Sequence, residues 1–388
     1  MLRVLRESAW LHAVCNKAIL CNLPILLPRS MLLHEACNMA NLDNMLIREG
    51  LRELRRRLPT GWAAREPTLE PRSTSADATI ELAAPDGRVG LLSFETRARL
   101  DPKGVLPLVE KHANDESAQR PFVVVARYLS EGTRARLRDG GLGYLDLTGN
   151  VRIVVPEPGL FVETQGASED PNREDRPARS LRGAKAGRIV RALIDLKAPP
   201  GVRELAALTR IDAGYVSRVL AFLDTEALVT RVGRGRLQRV DWPALLRRWA
   251  KDAPLEARGE LRTFLEPRGL SGLMTRLAKA DQRYVVTGAL AAATLAPIAP
   301  ARLAVVWMSD AVPTAASLGL RPADSGANVI LIEPADEGVF DGAAKRDGVW
   351  YAAPSQVAAD LLTSPGRGPA EGEELIGWMM SNEDEWRQ

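Results

Sequence analysis

LRGAKAGRIVRALIDLKAPPGVRELAALTRIDAGYVSRVLAFLDTEALVTRVGRGRLQRVDW, residues 181–242, is the stretch on which the reading of this chain turns. Between Gly187 and Leu196 the apolar side chains Ile189, Val190, Leu193 and Ile194 recur at helical spacing. Pro199-Pro200-Gly201 ends that helix. Val202–Leu208 makes a short second helix, and the turn Thr209–Ile211 leads to Asp212, an N-cap residue. A third helix, Ala213–Glu226, turns Val216, Val219, Leu220 and Leu223 inward and leaves Tyr215, Ser217 and Arg218 outward near its start. Leu228–Val232 and Leu237–Val240 then read as two strands joined by the tight turn Gly233-Arg234-Gly235-Arg236.

Three short helices followed by a basic hairpin are the order of a winged helix-turn-helix. Its third helix pushes its N-terminal end into the major groove of DNA. Arginines on the hairpin approach phosphates or enter a narrow minor groove. The charge supports this: from Ser180 to Lys251 fifteen Lys and Arg face six Asp and Glu, a local balance of +9 in a chain whose net charge is +3. The remainder is therefore acidic, and such asymmetry suggests nucleic acid. The expected DNA-binding residues are Tyr215, Ser217, Arg218, Arg231, Arg234, Arg236, Arg239, Lys185 and Arg188. Double-stranded DNA is the expected partner, and a homodimer across a palindrome is one arrangement such a module uses. A winged helix used for protein contacts is the alternative.

Outward from this module the chain reads as α/β. Met45–Leu58 carries leucines at helical spacing. Thr79–Ala83, Gly90–Ala98 and Pro121–Ala126 read as strands, with helices at Leu106–Ala113 and Glu131–Asp139. Gly143–Leu147 and Val151–Val155 form a strand pair around Thr148-Gly149-Asn150. The order implies a compact α/β domain over 45–166. Ala167–Arg179 is polar, charged in both signs and rich in turn formers, so 167–180 reads as a linker. The winged helix occupies 181–250. A second α/β region runs over 255–388, with helices expected at Leu261–Leu265 and Leu270–Ala280, strands at Tyr284–Thr287, Leu303–Met308 and Asn328–Ile332, and helices at Ala289–Leu295, Ser355–Leu362 and Glu371–Met380.

The first 44 residues read as an extension, disordered or preceding the true start. Its apolar run Trp10–Leu27 is interrupted by His12, Asn16, Lys17 and Asn22, too polar to span a membrane and without a signal-peptide core. The three cysteines, Cys15, Cys21 and Cys37, match no zinc spacing, and His12, His34 and His112 are scattered, so no metal and no cofactor is expected. With 26% charged residues the composition is that of a soluble protein, and a cytoplasmic location is expected.

The segment Gly143-Tyr144-Leu145-Asp146-Leu147-Thr148-Gly149-Asn150 resembles the DxxGN segment of AbiEi-type antitoxin-like regulators, of abortive-infection, type IV toxin–antitoxin systems. The resemblance covers residues 90–250 and, more weakly, the C-terminal part. It implies a winged-helix transcriptional regulator that represses its own promoter, with a toxin as a candidate partner. Here the winged helix follows the motif domain instead of opening the chain.

The domain over 45–166 also resembles the restriction-endonuclease fold, in which an Asp before one strand and a Glu-x-Lys on the next hold Mg²⁺. Asp77 and Glu95-Thr96-Arg97 stand at those places, with Arg97 where that pattern has Lys. Arg cannot release a proton near neutral pH, so the domain is expected to be degenerate and non-catalytic. Glu95, Asp146, Gly149 and Asn150 are left as motif residues of unassigned role, with hydrogen-bonded structural roles expected for Glu95 and Asp146. The C-terminal region resembles a nucleotidyltransferase-like fold, with Thr287-Gly288-Ala289-Leu290 at the Gly-Ser helix start. At the paired-aspartate position, Trp307-Met308-Ser309-Asp310 keeps one carboxylate, a poor metal clamp. The reading is thus a multidomain α/β DNA-binding regulator that is not an enzyme. The alternatives are a Mg²⁺-dependent nuclease targeted by a winged helix and a protein-binding adaptor.

Overall fold

A computed structural model describes residues 29–70, 76–114, 120–172, 180–232, 236–296 and 299–388. The protein is mixed α/β and divides into two compact units, 1–100 with 104–171, and 101–103 with 172–388. The division falls inside the polar stretch expected to be a linker, of which residues 173–179 lie outside the described residues.

The first unit opens with helix α1, Arg29–Arg57. The helix expected from Met45 therefore begins upstream, and the last part of the expected N-terminal extension belongs to it. Leu42 packs against the core, and Asp43 accepts a hydrogen bond from the Thr96 hydroxyl at 3.1 Å; residues 1–28 lie outside the described residues. The sheet that follows contains β1 (Ala63–Ala64), β2 (Thr68–Leu69), β3 (Ala78–Ala83), β4 (Val89–Arg97), β5 (Phe122–Ala126), β6 (Gly143–Asp146), β7 (Val151–Val155) and β8 (Leu160–Thr164). Its order is β1-β3-β4-β5-β6-β7-β8, with β2 also on β3. The pairs β4–β5 and β5–β6 are parallel, and the others are antiparallel. Strand β8 is an element the sequence reading omitted.

Helix α1 covers one face through Leu46, Ile47, Leu51 and Leu54, all buried. Gly50 permits the close approach, because a Cβ there would lie 2.8 Å from Val125 Cγ1. The other face is covered by α2 (Val105–Ala113) and α3 (Glu131–Asp139). Ser130 caps α3 by accepting from the Thr133 N–H at 3.2 Å. Because both faces are covered, all five residues of β5 are buried, which is why its sequence is apolar without alternation.

The second unit begins with α4 (Ala184–Asp195), α5 (Val202–Thr209), α6 (Ala213–Thr225), the hairpin β9 (Val229–Val232) and β10 (Arg236–Val240), and α7 (Trp242–Asp252). Helix α7, at the end of the module expected over 181–250, is an element for which the sequence analysis names no helix; Asp241 caps it by accepting from the Ala244 N–H at 3.2 Å. A seven-stranded mixed sheet follows, made of β11 (Gly259–Leu265), β12 (Tyr284–Thr287), β13 (Ala304–Met308), β14 (Arg321–Pro322), β15 (Val329–Pro334), β16 (Ala344–Arg346) and β17 (Val349–Tyr351), in the order β14-β11-β15-β13-β12-β17-β16. Its helices are α8 (Leu270–Leu277), α9 (Gly288–Ala292), α10 (Ala311–Ser317), α11 (Pro354–Leu362), α12 (Gly368–Ser381) and α13 (Glu383–Trp386).

Residues Leu261–Leu265, expected to be helical, are instead part of strand β11. The strand pairs antiparallel with β15 from Gly259 to Phe264 and with β14 on the other side at Phe264 and Leu265. That ladder satisfies more backbone groups than one isolated helical turn could. One hydrophobic cluster runs from Ile189 and Val219 through Trp242 and Trp249 to Val286, Trp307 and Leu375. The three helices and hairpin therefore share their core with the C-terminal sheet.

Candidate nucleic-acid interface

Helix α6 is placed by a short turn. Arg210 closes α5 in the left-handed conformation (φ 55°), and Ile211 is buried beside it. Asp212 then accepts from the Tyr215 N–H at 3.1 Å, satisfying one of the unpaired donors at the helix start. Val216, Val219, Leu220 and Leu223 are buried as expected, which leaves Ser217 and Arg218 exposed and Tyr215 half-buried. The Arg218 guanidinium lies over the Tyr215 ring, 5.7 Å from its centroid, a weak attraction at an exposed site.

The hairpin departs from simple alternation. Arg236 faces Val232 and Leu237 faces Arg231, but the register then slips by one residue, so that Arg239 faces Thr230 and Val240 faces Val229. Gln238 is the extra residue of this bulge. Val232 and Thr230 are two residues apart and share a face, so Arg236 and Arg239 share it too, and both are exposed. Strict alternation would have put them on opposite faces. Arg231 lies on the inner face with Val229 and Leu237, half-buried, with its Nε unpaired. Arg234 lies outside the described residues.

Lys185 is exposed in the first turn of α4. Arg188, expected among the DNA contacts, is half-buried and already paired within the protein: its Nε and Nη2 reach the two carboxylate oxygens of Asp336, each at 2.8 Å. Burial pushes the Asp336 carboxyl up, but the bonds from Arg188 and the Gly338 N–H outweigh it and hold the carboxyl below its ordinary range. One turn on, buried Arg191 donates to the carbonyls of Gly338 and Asp341. Among the described residues Lys185, Arg218, Arg236 and Arg239 have no ion-pair partner in the protein. Other solvent-facing cations of this module are paired, Lys197 with Asp384 and Arg247 with Glu373.

No family model, curated protein or solved structure matches the chain.

The motif residues of the first unit come together in a closed network. One carboxylate oxygen of Asp146 accepts from the Thr148 N–H (2.9 Å), the Thr148 hydroxyl (2.7 Å) and the Asn150 N–H (3.1 Å). The other accepts from the Leu129 N–H (3.0 Å) and Asn150 Nδ2 (2.9 Å). Asn150 also donates to the Ala167 carbonyl at 3.0 Å and accepts from the Gly166 N–H at 2.9 Å and from Arg134. Gly149 supplies a left-handed residue (φ 103°) in the turn. Gly166 is pressed against it, because a Cβ there would stand 2.2 Å from the Thr148 carbonyl oxygen. Asp146 is 0% and Asn150 1% exposed, and their hydrogen-bonding capacity is used within the fold.

Glu95 is buried on β4 and faces two cations, Arg97 and Lys111, the latter at 3.2 Å. Burial pushes its carboxyl up, the nearby Asp77 adds to this, and the two cations oppose it. Asp77 itself accepts from the Thr96 N–H and hydroxyl, both at 2.7 Å. Lys111 comes from α2, sixteen residues beyond Glu95, and the sequence reading missed it because no local spacing links a helix to the strand it covers. In the second unit Thr287 and Trp307 turn inward to Asp360, whose carboxylate accepts from the Thr287 hydroxyl (2.7 Å) and the Trp307 indole (2.8 Å) and pairs with Arg258 at 2.8 Å. Asp310 is exposed, in a left-handed conformation at the start of α10.

Proposed function

We propose that residues 181–242 form a winged helix that binds double-stranded DNA, and that the protein is a transcriptional regulator. The observation that carries this reading is the set of unpaired cations just described: among the described residues, Arg218 on α6 and Arg236 and Arg239 on one face of the hairpin reach solvent without carboxylate partners. An exposed arginine without an internal partner suits a phosphate or a base edge. Helix α6 would enter the major groove, and the hairpin would track the backbone. The test is fluorescence anisotropy with random duplex and with the gene's own upstream DNA over a salt series. Affinity should fall steeply with salt, and Arg236→Ala with Arg239→Ala should flatten the slope by about one each. Binding that is absent at low salt, or untouched in the double variant, would assign the module to protein contacts.

In the wider reading the protein is antitoxin-like and represses its own promoter from the cytoplasm, with a restriction-endonuclease-like first unit and a nucleotidyltransferase-like C-terminal region. A toxin partner and a homodimer belong to the same proposal. The saturated hydrogen bonds of Asp146 and Asn150 support a structural role for the DxxGN segment in it.

A second reading, a metal-dependent nuclease, has one observation in its favour: Lys111 Nζ, 3.2 Å from Glu95, offers the lysine that Arg97 replaces. The donor set fits a divalent cation poorly, because Glu95 is already neutralised by Arg97 and Lys111 and Asp77 is held by Thr96. We therefore expect no cleavage of plasmid DNA with Mg²⁺ or Mn²⁺; cleavage that disappears in Glu95→Ala would establish the nuclease instead.

A further inference from the structure

The C-terminal carbonyls of a helix lack partners within it, and for α4 they are met by residues nearly two hundred positions away. Arg387 donates Nε to the Ile194 carbonyl (2.9 Å) and Nη2 to the Leu196 carbonyl (2.6 Å). The Gln388 N–H reaches the Asp195 carbonyl at 2.8 Å, and the Lys197 N–H reaches the Gln388 carbonyl at 2.7 Å. A cation at this end of a helix also complements its dipole.

The same segment holds the base of the hairpin. Glu383 accepts from the Trp242 indole at 2.6 Å and from Arg387 at 2.8 Å, so one carboxylate joins the two attachments. The Trp386 ring stands edge-on to Trp242, 5.1 Å between centroids. Trp242 follows directly on Asp241, whose N–H closes the hairpin base on the Leu228 carbonyl at 2.9 Å. Trp242 is 3% exposed.

We propose that residues 383–388 are a positioning strap for DNA binding, which rests on the winged-helix reading above. The strap fixes the end of α4 and the base of the hairpin relative to each other, and α6 lies between these two in the chain. Arg387, Glu383 and Trp386 touch no nucleic acid. They act by keeping α6 and the outer face of the hairpin in the geometry that meets one duplex together.

The test uses the full chain and one fixed duplex, well below the melting midpoint of every variant. Arg387→Ala should weaken binding about tenfold, within the range of couplings carried through packed elements. The slope of affinity against salt should stay unchanged, because no phosphate contact is lost. Amide exchange should quicken at Lys197. Glu383→Gln, which keeps an acceptor for Trp242, should bind more tightly than Glu383→Ala. A slope reduced by about one in Arg387→Ala would make Arg387 a phosphate contact and overturn the strap. Faster exchange at Lys197 with unchanged affinity would also overturn it, as a contact of stability alone. If the wild-type chain binds no duplex at low salt, the winged-helix reading falls, and the strap with it. If the wild type binds and Arg387→Ala is indistinguishable from it, the strap alone falls.

Discussion

The Asp146–Asn150 turn of the first unit and the arginine face of the second are both rich in polar groups, and they follow opposite rules. In the turn every carboxylate oxygen and amide atom is spent on a neighbour inside the fold. On α6 and the hairpin, Arg218, Arg236 and Arg239 have no carboxylate among the described residues. A motif can therefore be recognisable because it is a structural knot, while the residues left for a partner are those whose bonds the fold leaves unmade. The contrast also appears within one helix, where Lys185 points to solvent and Arg188 is held by Asp336.

The strongest way to break this comparison is Asp146→Ala. It strands the N–H groups of Leu129, Thr148 and Asn150 in a buried site. Since each buried unsatisfied group costs about 1–3 kcal/mol, a loss of at least about 3 kcal/mol is expected. Urea unfolding and amide exchange across β5–β8 would measure it. A loss under about 1 kcal/mol would mean that the turn is not a structural knot.

A sharper and smaller test sets Arg188→Ala against Arg236→Ala. The first should cost about 1 kcal/mol of stability and leave the salt slope of DNA binding alone. The second should leave stability within about 0.5 kcal/mol and lower the slope by about one. An equal effect of both variants on the slope would put Arg188 back among the phosphate contacts.

The smallest expected effects are in pH dependence, and their signs differ. Asp336 is held below the ordinary carboxylate range in the fold. Its stabilising contribution is therefore present above that range and lost as pH falls through the depressed value. Glu95 is raised in the fold, so its contribution is full below the ordinary range and lost as pH rises through the raised value. Relative to wild type, Asp336→Asn should then become worse, and Glu95→Gln better, as pH rises from about 3 to about 7. Urea midpoints at the two ends would show it. Shifts of the same sign would contradict the assignment of at least one of the pair.

Much of the architecture was readable because it is local. The caps Ser130 and Asp212, the breaker Pro199-Pro200-Gly201 and the buried run Phe122–Ala126 each mark an element through a few neighbouring residues. The errors come from places where distant partners decide. Leu261–Leu265 has no strong period of its own and became a strand because β15 and β14 offered a ladder on both sides. Strand β8 lies on β7 with Phe161 exposed, so it lacks the apolar run that marks a buried strand.

By itself, then, the sequence determined the order of three helices and a hairpin between 181 and 242 and the excess of positive charge there, because helix period, caps and turn residues act over a few positions. The tertiary structure decided which of those charges are free. The bulge at Gln238 brings Arg236 and Arg239 to one face, and Asp336, 148 residues away, pairs with Arg188. Phase and partner are set by hydrogen-bond register and by contacts distant in sequence, and neither is written in the local pattern of side chains.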